Sequence, residues 1–278
     1  MTISQFIYQA LAEDTGSGDH TSLACIDAEQ NGKAILKVKD SGILAGVELA
    51  ELIFGQVDSR IEVKKFIDDG NEIKPGDVAF EIEGYEQKIL LAERLMLNCM
   101  QRMSGIATIT RKYVNAVAGT KAKILDTRKT TPLNREIEKW AVRIGGGYNH
   151  RKGLYDMILI KDNHIDYCGG IKPALEKVKE YLESKDLKLQ IEIETRNLDE
   201  VKQVCETGNV NRIMLDNFTP DQLAEAIKFI DGKFETEASG GIKLNSVRTY
   251  AETGVDFISV GALTHGAISL DLSLKAVK

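Results

Sequence analysis

Several short stretches of this chain place charged and small polar residues where chemistry could be done. They are Asp126-Thr127-Arg128-Lys129, His150-Arg151, Lys161-Asp162-Asn163-His164, Glu192 and Glu194, Asp216-Asn217, and Ser239-Gly240-Gly241 with Gly261. Arg128, Lys129 and Lys161 suit carboxylate or phosphate oxygens, Arg in bidentate fashion and Lys as a point charge. Glu194 and Asp216 carry the hard oxygens that Mg²⁺ prefers, and that ion usually reaches its protein through one or two carboxylates plus substrate phosphates. Ser239-Gly240-Gly241 and Gly261 allow backbone N–H groups to approach a phosphate closely. Singly, each stretch also reads as a solvated strand end. Together they describe a site for a polyanion and a metal.

The elements that must position these residues follow from the pattern around them. Up to about residue 105 the chain reads as a small α+β domain. It has an amphipathic helix at Met1–Ala12, strands at Ala34–Lys39, Ile61–Ile67 and Val78–Glu83, and helices at Val47–Phe54 and Lys88–Met103. Arg94 and Arg102 fall off the apolar stripe of that last helix. After residue 105 short apolar runs alternate with helical segments. The runs are Lys123–Leu125, Met157–Ile160, Leu189–Ile193, Arg212–Leu215, Phe234–Ala238 and Phe257–Val260. Helices are predicted between them at Asn134–Ile144, Ile171–Leu182, Leu198–Glu206, Pro220–Ile230 and Ser246–Thr253. Such alternation predicts parallel strands with crossover helices, and here an incomplete (β/α) barrel. Barrel enzymes work at the C-terminal ends of their strands, where all but one of the stretches above fall. His150-Arg151 follows a helix and Gly145-Gly146-Gly147, so it needs an extra short strand at about Tyr148–Arg151 to reach that rim. Glu192 and Glu194 alternate on one strand and are predicted to share a face toward the barrel interior.

Composition excludes other classes. The net charge of −6 argues against a general nucleic-acid binder, which needs a broad basic surface. No window approaches the roughly 18 unbroken apolar residues of a membrane span. The first residues lack the basic-then-apolar layout of a signal peptide, which predicts a cytoplasmic protein. Cys25, Cys99, Cys168 and Cys205 are scattered without a C-x-x-C pair and read as reduced thiols.

The motifs also match a known family in order along most of the chain. Asp126–Pro132, Glu138-Lys139, Gly145-Gly146-Gly147, Asn149-His150-Arg151 and Leu159–His164 strongly resemble quinolinate phosphoribosyltransferase, the carboxylating nicotinate-nucleotide pyrophosphorylase. Glu13-Asp14, Gly18-Asp19, Glu93-Arg94, Ser104–Thr108, Leu215–Phe218, Ser239–Ile242 and Gly261–His265 continue the series. One departure is Leu133-Asn134, where the family has Gly and then an apolar residue; the following Arg135 stays aligned.

The resemblance implies a small α+β domain (1–104) that closes the partner subunit's site and an incomplete barrel (105–278) carrying the active site. It implies a homodimer that joins quinolinate to phosphoribosyl pyrophosphate with Mg²⁺ and no organic cofactor. The products are nicotinate mononucleotide, pyrophosphate and CO₂, a step of NAD biosynthesis. By motif position, Arg128, His150, Arg151 and Lys161 bind quinolinate, with Arg94 supplied by the partner. Lys129, Glu194, Asp216, Ser239, Gly240, Gly241 and Gly261 take phosphoribosyl pyrophosphate. Glu194 and Asp216 also hold the metal, and Lys161, Glu194 and Asp216 are the catalytic candidates. Two alternatives stay open at this point: a relative associated with molybdate transport, and a Schiff-base aldolase built on Lys161.

Overall fold

Caps and apolar spacing set the element ends in the computed structural model, which describes residues 2–277. The first stretch forms α1 (Ile3–Thr15), α2 (His20–Cys25), β1 (Asn31–Val38), β2 (Gly42–Ile43), α3 (Val47–Val57), β3 (Glu62–Lys65), β4 (Glu72–Ile73), β5 (Val78–Tyr85) and α4 (Glu86–Ala116). Next come β6 (Lys123–Leu125), α5 (Arg135–Ile144), β7 (Ile158–Ile160), α6 (Asp162–Cys168), α7 (Ile171–Ser184), β8 (Ile191–Thr195), α8 (Leu198–Thr207), β9 (Arg212–Asp216) and α9 (Pro220–Ile230). The last are β10 (Glu235–Ser239), α10 (Val247–Glu252), β11 (Phe257–Ser259), α11 (Ala262–His265) and β12 (Leu272–Val277). The helix read at Met1–Ala12 is α1, and Met1 itself lies outside the described residues. Thr2 starts α1 through a capping box with Gln5, and Thr219 starts α9 in the same way with Gln222, ahead of Pro220.

The chain packs as two compact units. The first comprises Met1–Arg111, Thr130–Gly146 and Leu263–Lys278, the second Lys112–Lys129 and Gly147–Ala262. Helix α4 runs unbroken through the boundary read at 104/105. Two later segments return to the first unit. In its four-stranded antiparallel sheet, ordered β12-β1-β5-β3, the last strand pairs with the first, Leu36 opposite Leu274. Glu138 on α5 is fully buried and pairs with Arg102 of α4 at 2.9 Å. Ser104 Oγ bonds both the N–H and the carbonyl of Ala45. At Gly105 a Cβ would collide with the carbonyl oxygen of Ile268.

The second unit is built on a six-stranded parallel sheet ordered β6-β11-β10-β9-β8-β7. Strands β7 to β11 are neighbours in chain order, and β6, the first, lies against β11, the last. A sheet gains that order by curling round until its ends approach, so this is a (β/α) barrel open between β6 and β7. Parallel partners face the same side, and the pairings Leu159 with Glu192, Glu192 with Arg212, Glu235 with Arg212 and Ser239 with Asp216 trace one face of the sheet. The other face carries Ile193, Ile213, Leu215, Ala238 and Ile258, all buried. The sheet therefore has one apolar face and one polar face.

Gly105→Ala is expected to lower the denaturant midpoint by the equivalent of about 1–3 kcal/mol, because the clashing atom is backbone and cannot rotate away. A urea titration of both proteins checks this, with an unchanged midpoint counting against the close approach.

Candidate active site

Each candidate on the barrel sits where a strand ends. Arg128 and Lys129 follow β6, Lys161 follows β7, Glu194 lies near the end of β8, Asp216 ends β9, Ser239 ends β10, and Gly261 follows β11. Gly240 and Gly241 follow Ser239, both at positive φ. At Gly240 (φ 95°) a Cβ would run into the Asn217 side chain and lie 2.8 Å from its backbone nitrogen, so only glycine fits. Asn217 in turn donates its N–H to Ser239 O at 2.9 Å and its side-chain amide to Asp216 Oδ2 at 2.7 Å. Arg94 is the exception. It is exposed on α4, in the first unit.

The strand expected at Tyr148–Arg151 shrinks to one parallel bridge between Leu125 and Tyr148. Tyr148 donates to Ile124 O at 2.8 Å and accepts from Asp126 N–H at 3.0 Å. Beyond the bridge a side chain takes over from the ladder. Asp126, fully buried, accepts from Asn149 Nδ2 at 2.6 Å and from the His150 N–H at 2.8 Å. Those bonds bring His150-Arg151 to the rim.

On the opposite side of the gap Lys161 Nζ lies 2.6 Å from Glu194 Oε1. The Lys161 N–H donates to His164 Nδ1 at 2.9 Å, so His164 holds the turn into α6. The Arg151 guanidinium is pushed below its ordinary pKa by burial and then by the charge of Arg128. Arg128 Nε is buried and has no acceptor among the described residues. Two guanidinium charges thus act on one another with a donor to spare, an arrangement that an anion would complete.

Beneath this rim lies a cluster that the sequence reading did not single out. Glu192 and Glu237 are both fully buried. Burial pushes both carboxyls well above the ordinary carboxylate range, and for Glu237 the charge of Glu192 adds to the effect. His150 Nε2 lies 2.9 Å from Glu192 Oε2 and 3.5 Å from Glu237 Oε2. Arg212 reaches the same Glu237 oxygen at 3.0 Å, pairs with Glu235, and stacks on the Phe257 ring at 3.9 Å. With both carboxyls ionised, the Glu192 oxygens and Glu237 Oε1 have no donor to accept from. With one protonated, the two can bond to each other. His150, Glu192 and Glu237 also have the donor types and spacing of a transition-metal site. Arg212 already brings positive charge to that spot, which favours a proton over a divalent ion. The signal that could have revealed Glu237 is its spacing: Glu235, Glu237 and Ser239 repeat the period-2 pattern of Glu192 and Glu194 on β8.

With this geometry described, comparison with known proteins is informative. Residues 106–275 match the family model for the C-terminal domain of quinolinate phosphoribosyl transferase, and residues 19–104 match the model for its N-terminal domain. The chain belongs to the quinolinate phosphoribosyltransferase family. It is 47% identical to a chloroplastic nicotinate-nucleotide pyrophosphorylase (carboxylating) of Arabidopsis thaliana, over 96% of this chain and 80% of that protein. It is 44% identical to a mitochondrial quinolinate phosphoribosyltransferase (decarboxylating) of Nicotiana glauca, over 98% and 82%. Among solved structures, NadC from Streptococcus pyogenes superposes with a TM-score of 0.92 at 36% identity, covering 99% of this chain and 97% of that one. Both domains of the family are present in this chain, meeting between residues 104 and 106.

The Glu237 carboxyl carries a sign for stability against pH. Its folded value, about 8, lies above the ordinary 4.5. The folded state therefore binds more protons than the unfolded one between those values, and stability falls as pH rises through that window. Glu237→Gln is expected to flatten the fall, measured as urea midpoints at intervals from pH 5 to about pH 8. An equally steep fall in the variant would count against a buried, protonated Glu237.

Proposed function

We propose that this protein transfers the phosphoribosyl group of phosphoribosyl pyrophosphate to quinolinate with loss of CO₂, giving nicotinate mononucleotide and pyrophosphate for NAD biosynthesis. Family membership supports this reading, and one observation carries it: a buried Arg128 donor without an acceptor among the described residues, at a rim where the charge of Arg128 also acts on Arg151. Quinolinate has carboxylates on adjacent ring carbons, so it needs several fixed cations to be drawn out of water. Arg128, His150, Arg151 and Lys161 supply them on this reading, together with Arg94.

On this reading Lys129 faces the pyrophosphate side, and Ser239, Gly240, Gly241 and Gly261 cradle the 5′-phosphate. Glu194 and Asp216 hold the ribose hydroxyls. The same two carboxylates fit Mg²⁺: they are hard oxygen donors on adjacent strands, and too few to cage an ion without water and substrate phosphates. When bound, Mg²⁺ supplies positive charge for the leaving pyrophosphate. As the bond from the ribose carbon to pyrophosphate breaks, positive charge develops on the sugar, and Glu194 and Asp216 stabilise it. The quinolinate ring nitrogen forms the new bond to that carbon. Loss of the adjacent carboxylate as CO₂ leaves its electron pair on that ring carbon, where the neighbouring N⁺ stabilises it, and a proton from Lys161 or a nearby acid bonds to that pair.

We further propose a homodimer in which α4 of one subunit offers Arg94 to the other's site. Arg94 is exposed on α4 and is the one candidate outside the barrel unit. A cytoplasmic location is in keeping with four free cysteines and with the finding that no helix among the described residues is long and apolar enough to cross a membrane. A Schiff-base aldolase is disfavoured, because the amine it would need lies in an ion pair with Glu194.

The deciding assay supplies quinolinate and phosphoribosyl pyrophosphate with Mg²⁺ present or withheld. CO₂ release only with all three is expected, and release without phosphoribosyl pyrophosphate would overturn the reading. By titration calorimetry, Arg128→Ala is expected to weaken quinolinate binding by about a hundredfold or more, whereas Glu194→Ala chiefly impairs phosphoribosyl pyrophosphate use. Intact quinolinate binding by Arg128→Ala would sink the pocket assignment. Inactive Arg94→Ala and Lys161→Ala subunits are expected to regain activity on mixing, and no recovery after confirmed subunit exchange would exclude a shared site.

A further inference from the structure

Two of the residues read as serving phosphoribosyl pyrophosphate, Lys129 and Gly261, lie on the segments that follow β6 and β11. These strands are paired neighbours, Ser259 opposite Leu125. Each segment soon leaves the barrel unit: the chain passes into the first unit at Thr130 after β6 and at Leu263 after β11. Inside the first unit both segments end on the same buried pair.

That pair is Glu138 of α5 and Arg102 of α4. Glu138, fully buried, accepts the Thr131 N–H at Oε2 (3.2 Å) and the Thr131 hydroxyl at Oε1 (2.8 Å). Arg102 donates to the same Oε1 from Nε at 3.0 Å and from Nη2 at 2.9 Å. Its Nη2 also donates to the carbonyl of Thr264, and its Nη1 to that of Ala267 at 2.9 Å. The carboxyl thus holds the segment after β6, and the guanidinium holds the segment after β11. Burying two charges for this is expensive in desolvation. What the pair supplies, and apolar packing would not, is direction, since each bond fixes a backbone group in distance and angle.

The first of these segments is held against its own preference. Leu133 has φ 65°, in the left-handed region, and its side chain is 75% exposed, so packing of that side chain does not keep it there. A leucine stays in that region only where the surrounding backbone is fixed. The fixing begins at Thr131, whose carbonyl accepts the Asn134 N–H at 3.1 Å, and Arg135 Nε adds a bond to Thr130 Oγ1 at 3.1 Å. The quinolinate side has an anchor of its own in Asp126, which holds Asn149 and the His150 N–H.

We propose that Glu138 and Arg102 are positioning residues for phosphoribosyl pyrophosphate: by holding Thr131 and Thr264 they set the backbone from which Lys129 faces the pyrophosphate and Gly261 the 5′-phosphate. The pair acts through the threonines it holds. This rests on the function proposed above in naming the substrate, whereas the anchor itself is a property of the free protein.

The test compares the two substrates. Glu138→Gln sets an amide donor against the Thr131 N–H and is expected to raise the phosphoribosyl pyrophosphate KM about tenfold or more. The quinolinate Kd, measured by calorimetry without the second substrate, should stay within about twofold. Thr131→Val, which loses only the hydroxyl, should raise the same KM about threefold, and Thr131→Ser should keep it within about twofold of wild type. A folded Glu138→Gln variant with wild-type KM would overturn the proposal, as would a quinolinate Kd raised as much as that KM, which a merely structural role predicts. If Glu138→Gln does not fold, the Thr131 pair decides, and equal KM values for its Val and Ser forms would overturn the proposal. Hydrogen exchange in the free protein reads the anchor without substrate: amides 128–131 are expected to exchange about tenfold faster in Glu138→Gln than in wild type, and unchanged exchange would overturn the anchor. A wild type that does not use phosphoribosyl pyrophosphate would remove the reading of the substrate, while the exchange rates would uphold or overturn the anchor by themselves.

Discussion

The barrel unit is organised around a buried excess of acid. Glu192 and Glu237 project from neighbouring parts of one sheet into the buried interior, where Arg212, His150 and Arg151 bring positive charge. Removing a charge from water costs several kcal/mol unless it is paired, so each partner's position is strongly constrained. Arg212 reaches up from the start of β9 and His150 reaches in from the gap between β6 and β7. The open side of the barrel is thereby tied to its middle through charge, where a complete barrel would use backbone hydrogen bonds.

Moving along the strands, the same face changes character in steps. By register Glu192, Arg212 and Glu235 lie at one level, Glu237 and Phe257 at the next, and Asp216 with Ser239 and the glycines after it at the strand ends. Arg212 answers part of the buried acid through Glu235 and Glu237. At the rim, Arg128 keeps a donor without an acceptor among the described residues. Capacity for an anion therefore collects at the rim, above the level that carries the buried acids.

Much of this was legible in the residues. The six parallel strands were read to within about two residues, because each is a short apolar run closed by polar residues, and those polar ends are the rim. The shared face of Glu192 and Glu194 followed from strand period alone. Glu237 was missed although it obeys the same period, because a glutamate between Thr236 and Ala238 looks like a solvated residue until its neighbours on β8 and β9 are known. The strand read at Tyr148–Arg151 followed from the need to reach the rim, and only Tyr148 of it pairs, since one bridged residue leaves no periodic trace. The continuation of α4 through Ser104-Gly105 was also hidden, since a glycine that ends many helices here only makes room for Ile268.

The pairing of β12 with β1 has a bearing on how the chain is made. Residues 31–38 leave the ribosome early, but residues 272–277, which complete the edge beside them, follow only after every strand of the parallel sheet. The parallel sheet is uninterrupted in synthesis from β7 to β11, whereas the antiparallel sheet must wait, with one side of β1 unpaired, until all of those strands have been made. Contacts so far apart in sequence form slowly, and exposed strand edges invite the wrong partner. For this protein the vulnerable interval in the cell is the time during which β1 is already made and its last neighbour is not.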